Sequence, residues 1–123
     1  MYAYMNDDKK IQFNERMKVL NDKYCKQLPT KYQEIESSWN TYLANISGSE
    51  TLDEFYRLIH TLKGTAATFG FVTQADICFE IQTLLLEDNE RRTSLSQNLK
   101  DEIQIKLKKL EQNISAPAED IME

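Results

Sequence analysis

Apolar residues recur every three or four positions along most of the chain, the spacing that places them on one face of an α-helix. Between residues 7 and 28 the pattern runs through Ile11, Phe13, Met17, Leu20, Tyr24 and Leu28 and predicts a first helix with one buried stripe. Pro29 follows. Proline lacks a backbone donor and clashes with the preceding turn, so it is expected to end or kink that helix. Thr30 can then cap a second helix over 31–46, with Tyr32, Ile35, Trp39, Tyr42, Leu43 and Ile46 on its apolar side. Ser47-Gly48-Ser49 reads as a break. Thr51 with Glu54 three residues later has the form of a capping box and opens a third helix reaching about residue 69. Gly70 supplies the next break, where a left-handed C-terminal cap costs glycine little. A fourth helix covers 72–87, marked by Ile77, Ile81 and Leu84. Asp88-Asn89 and Arg91-Arg92 form a polar connection. Ser94 or Ser96 can cap a fifth helix, carried to about residue 113 by Leu99, Ile103, Leu107 and Leu110.

Long amphipathic helices with short connections predict an all-α fold. The expected architecture is an antiparallel up-and-down four-helix bundle with an additional N-terminal helix. Its domain would span 7–114, between a tail over 1–6 and a flexible acidic tail over 115–123. Three glycines and two prolines in 123 residues agree, because sheet-rich folds need frequent tight turns. The net charge of -5, with lysines scattered rather than clustered, argues against a nucleic-acid partner. No apolar run approaches the roughly 20 residues needed to cross a bilayer, and the polar first ten residues do not resemble a signal peptide. No membrane role is expected, and a cytoplasmic location is. In that reducing compartment the isolated Cys25 and Cys78 are expected to serve as small apolar side chains rather than a disulfide.

The chemistry concentrates at a single histidine, His60, inside the third helix. Leu52, Phe55, Ile59, Leu62, Ala66 and Phe69 form that helix's core stripe, and at about 100° per residue His60 points roughly 130° away from its centre. The imidazole should therefore reach water or a partner. Lys63 and Gly64, at i+3 and i+4, are the residues that approach it on the helix surface. Mid-helix glycine costs about 1 kcal/mol relative to alanine. One reason to accept that cost is to leave the imidazole uncovered, and Ala67 extends the low surface by another turn. Lys63 adds a positive charge suited to phosphoryl oxygens. A neutral imidazole has a nitrogen lone pair near pH 7 and can attack phosphorus to form a phosphoramidate. Taken singly, a helix histidine is ordinarily just solvated, and a helix glycine can serve close packing. His-x-x-Lys-Gly with a second glycine at Gly70 is much less generic than its parts.

The segment His60-Thr61-Leu62-Lys63-Gly64, followed by Thr65-Ala66-Ala67-Thr68-Phe69-Gly70, resembles the signature of the histidine-containing phosphotransfer (HPt) family. The likeness extends over about residues 10–112, including the long first helix closing in Leu28-Pro29 and the final amphipathic helix. It implies an up-and-down four-helix bundle, often with an extra N-terminal helix. It also implies a phosphoacceptor at His60, a lysine at Lys63 that helps hold the phosphoryl oxygens, and access through Gly64. A polar side chain on the following helix often faces the histidine in this family, a place that Gln82 fits by its spacing. The implied function is relay of a phosphoryl group between receiver-domain aspartates in a two-component phosphorelay. Partners would be response-regulator receiver domains and a hybrid sensor kinase, met by a monomeric carrier. A divalent metal is expected on the receiver, with no cofactor or metal on this chain. The contact patch is expected to include Tyr56, Ala67 and Phe71, although Tyr56 is bulky for a side that must stay open.

With Gly48, Gly64 and Gly70 its only glycines, the chain has no glycine-rich phosphate loop, so it should not phosphorylate itself from ATP. Whether a carrier of this kind counts as an enzyme is left open. One rival is a helical adaptor that binds a receiver or kinase without transfer. The other is a metal- or cofactor-binding bundle, disfavoured because Glu80, Glu87 and Glu90 show no Glu-x-x-His pairing.

Overall fold

A computed structural model describes residues 7–44, 49–87 and 95–115. These form four helices, α1 (Asp7–Ala44), α2 (Ser49–Thr68), α3 (Val72–Leu86) and α4 (Gln97–Ser115). There is no strand among the described residues.

α1 departs most from expectation. It runs unbroken for 38 residues with Pro29 inside it. The two expected segments are one helix, so the additional N-terminal helix is not a separate element and Thr30 is not a cap. Proline leaves the Cys25 carbonyl without its intrahelical donor. The flanking Leu28 and Tyr32 are buried in the same core, and their packing carries the helix through. The buried stripe also starts later than predicted. Ile11, Phe13 and Leu20 are exposed, and burial begins at Tyr24. At that level α2 and α3 meet, where the Tyr24 ring lies 5.1 Å from that of Phe69 and 5.0 Å from that of Phe71. Downstream, Tyr32, Ile35, Trp39 and Tyr42 are buried as expected, whereas Leu43 is exposed. Ile46, with Ser47 and Gly48, lies outside the described residues.

α2 begins at Ser49, so Thr51 lies within its first turn instead of capping it. The Glu54 carboxylate is engaged by Arg57, 2.6 Å away and one turn on. The far end follows expectation. Gly70 has φ +83°, in the left-handed region that glycine adopts without strain. Around it the Phe71 amide donates to the Ala66 carbonyl (2.8 Å) and the Gly70 amide to the Ala67 carbonyl (3.2 Å). This pair of bonds is a Schellman motif, with buried Phe71 and Ala66 as its apolar contact.

Of the two candidate caps for α4, Ser96 does the work, accepting the Leu99 amide on its hydroxyl at 3.2 Å. Ser94 and the 88–94 connection, including Asp88, Asn89, Arg91 and Arg92, fall outside the described residues. α4 reaches Ser115, which therefore belongs to the helix and not to the tail.

Each helix packs against two others, α1 on α2 and α4, and α3 on α2 and α4. Later residues of α1 meet earlier residues on the α4 side. Tyr32 donates to the Leu107 carbonyl (3.3 Å), Trp39 Nε1 to Gln104 Oε1 (2.9 Å), and the Leu95 amide to the Tyr42 hydroxyl (2.7 Å). α1 and α4 therefore run antiparallel, as an up-and-down bundle requires. The central layer is aromatic, with the Trp39 ring centroid 4.9 Å from that of Phe55 and 5.6 Å from that of Tyr42. Gln74 is the one fully buried polar side chain among the described residues, and its Oε1 accepts from the Tyr24 hydroxyl at 3.1 Å.

Candidate functional site

His60 sits mid-way along α2. Buried Ile59 and Leu62 on either side of it lock the rotation of the helix, which leaves the imidazole exposed. Its Nδ1 lies 3.2 Å from Oε1 of Gln82 on α3, within hydrogen-bonding distance. Because a carbonyl oxygen can only accept, a neutral imidazole that makes this bond carries its proton on Nδ1 and keeps its lone pair on Nε2. Gln82, half-buried between Cys78 and Leu85 on the adjoining core face, is thereby brought to the histidine.

Three residues of α2 set the surroundings. Tyr56, one turn before His60 and half-buried, lies parallel to the imidazole, with ring centroids 6.1 Å apart and planes at 6°. His60 stays exposed beside it. Lys63 is half-buried and reaches across to α3, its Nζ 5.4 Å from the centroid of the Phe79 ring. At Gly64 an added Cβ would meet no heavy atom within 4 Å. Close packing therefore does not explain this glycine, and the surface beside His60 is open there. Exposed Ala67 continues it. The hydroxyls of Thr65 and Thr68 bond back to the carbonyls of Thr61 and Gly64, both at 2.9 Å, so they lie flat on their own helix.

Phe71 requires a correction. It was expected in the contact patch, but it is fully buried. The turn at Gly70 swings its ring inwards against Tyr24, and it offers no surface to a partner. The exposed apolar residues of α3 are instead Val72, Phe79 and Leu86. They lie seven residues apart on α3, with half-buried Ala75 and Gln82 between them, so they form a second face beside the core-facing one. Sequence reasoning counted only the core side. The usable signal was that α3 is apolar on more than one side, which a helix with a single buried face does not need.

Behind the site, burial pushes the Cys78 thiol up to about 12, with the Lys63 charge pulling the other way. It stays protonated at neutral pH and is a poor nucleophile. Cys78 and the half-buried Cys25 are both free thiols. Among the described residues no group of three or more His, Cys, Asp or Glu side chains could hold a metal ion. No described helix is long and apolar enough to cross a membrane. No solved structure matches the chain. A family model does, that of the Hpt domain, over residues 20–113, a span that takes in all of α2 and α3 and most of α1 and α4. The chain therefore belongs to the Hpt domain family, which implies a part in a two-component phosphorelay with partners such as receiver domains.

Proposed function

We propose that this chain relays a phosphoryl group between receiver-domain aspartates through a phosphohistidine at His60. The observation that carries this reading is the exposed imidazole held by Gln82 at Nδ1. That contact fixes the ring's orientation and points its free lone pair, on Nε2, away from the supporting helix. In the forward step Nε2 attacks the phosphorus of an aspartyl phosphate. The N–P bond forms as the acyl P–O bond breaks, and the carboxylate leaves with the electron pair. The ring keeps its Nδ1 proton, and the Gln82 carbonyl oxygen offsets part of the positive charge left on it. In the second step another receiver's carboxylate attacks, the P–N bond breaks and its electrons return to Nε2. Phosphoryl transfer asks mainly for position and charge stabilisation. Lys63 contributes charge from this side, and a divalent cation on the receiver contributes it from the other.

Tyr56 beside His60, exposed Ala67 further along α2, and exposed Val72, Phe79 and Leu86 on α3 give a receiver an apolar surface to dock on. The carrier acts as a monomer in the cytoplasm and takes its phosphoryl group from partners, not from ATP. The open patch at Gly64 favours transfer over a purely adaptor role, because binding alone would not need access to the ring. The test mixes the chain with a phosphorylated receiver and follows acid-labile, base-stable label. His60→Gln should carry none while keeping its helical circular dichroism. Label that persists in that variant sinks the proposal, and receiver binding with no label on the wild-type chain supports the adaptor.

A further inference from the structure

Phe79 is 54% exposed, yet its ring carries the Lys63 ammonium 5.4 Å from its centroid. That separation is within the range of about 6 Å at which a cation is attracted to an aromatic face. The contact is in register with the one that holds the histidine. One turn forward from His60 on α2 is Lys63, and one turn back from Gln82 on α3 is Phe79. Because neighbouring helices run antiparallel, the His60–Gln82 and Lys63–Phe79 pairs are successive rungs across the α2–α3 seam. α3 thus supplies one fixing contact to each polar side chain that α2 brings to the site.

We propose that Phe79 is a positioning residue for Lys63, its ring holding the ammonium on the seam one rung from the imidazole, so that the charge is in place before a phosphoryl group arrives. The role in transfer rests on the function proposed for His60 and Lys63. A solvated lysine spreads over many rotamers and must be ordered when its anion binds. Laying its aliphatic stem across the seam and its head on a ring does part of that ordering beforehand. The attraction of a ring is weaker than that of a phosphoryl group, so the ammonium is free to leave it.

The test uses the full chain with Phe79→Leu and Phe79→Met, which keep apolar bulk without a π face, and Phe79→Tyr, which keeps the face. By NMR, the Lys63 ε-methylene protons should be shifted upfield by the ring in the wild type and in Phe79→Tyr, and unshifted in the other two. Transfer from a saturating phosphorylated receiver should slow about two- to fivefold in Phe79→Leu and Phe79→Met, the worth of an exposed cation–π contact, and recover in Phe79→Tyr. In a Lys63→Ala background the Phe79 substitutions should have no further effect. Unshifted Lys63 protons in the wild type would overturn the proposal. So would an equal slowing by Phe79→Leu with and without Lys63, which would make the ring a docking contact only. A wild-type chain that takes no label would remove the function and the role in transfer together, while the NMR shift would still decide whether the ring holds the ammonium.

Discussion

A glycine inside a helix costs roughly 1 kcal/mol relative to alanine, and at position 64 no packing constraint requires one, since a Cβ there meets open space. Gly64→Ala is expected to stabilise the bundle by about 0.5–1 kcal/mol, read as a higher urea midpoint. Gly64→Gln, whose side chain would lean over the imidazole, is expected to slow labelling of His60. Destabilisation by the alanine would show that the glycine answers a structural need, and unchanged labelling in the glutamine variant would remove the access argument. His60, Lys63 and Gly64 were legible in the sequence because their mutual placement lies within one helix, where spacing alone fixes neighbours. Gln82 was reachable through the family resemblance, whose facing polar position it fits by spacing, and its contact with Nδ1 is what the structure adds. Phe71 was misplaced because the left-handed turn at Gly70 redirects the chain, and no periodicity encodes that direction. Phe79 was missed for a related reason. Its importance lies in a contact across two helices, and only the packed structure says which side of α3 borders Lys63.

Among the elements, α1 poses the sharpest question, because it continues through Pro29. Interior proline removes one backbone hydrogen bond and strains the turn before it, at about 3 kcal/mol or more. Pro29 is exposed, so its ring fills no place in the core. Pro29→Ala is therefore expected to raise stability by about 1–3 kcal/mol, measured by urea unfolding. A loss of stability would mean that the proline's geometry shapes how Leu28 and Tyr32 enter the core. The helix types were all legible, because periods of three and four over long stretches are unambiguous. Continuity through Pro29 was not, since local propensity was overridden by the packing of the residues beside it. The apolar residues from Ile11 to Leu20 show the converse. They carry a helical period, but Ile11, Phe13, Val19 and Leu20 stay exposed, and a period specifies a face without saying how deeply it is buried.

At the scale of the whole molecule, the bundle buries groups that resist ionisation. Burial, aided by Glu111 and Glu36, pushes the Tyr32 hydroxyl up to about 12, and burial raises the Tyr24 hydroxyl further still. The Cys78 thiol is likewise held at about 12. In the unfolded chain these groups return to 10 for each phenol and 9 for the thiol. The unfolded state then loses its protons first as the pH rises. The stability these groups contribute is thus complete below about pH 9 and falls progressively towards pH 12. Urea midpoints recorded from pH 8 to 11 should decline, and a flat profile would contradict the burial of these side chains. At the same scale, α2 and α3 pack directly on each other, with Tyr24 of α1 against Phe69 and Phe71 at their junction, and that packing brings Gln82 to His60.

The central claim is that His60 offers Nε2 while Gln82 keeps the proton on Nδ1. Long-range proton–nitrogen NMR correlation on the phosphorylated chain tests it most directly, because it identifies both the residue and the nitrogen that carry phosphorus. The expected spectrum shows one phosphohistidine, at His60, substituted on Nε2 and protonated on Nδ1. Phosphorus on Nδ1, or on any residue other than His60, would contradict it.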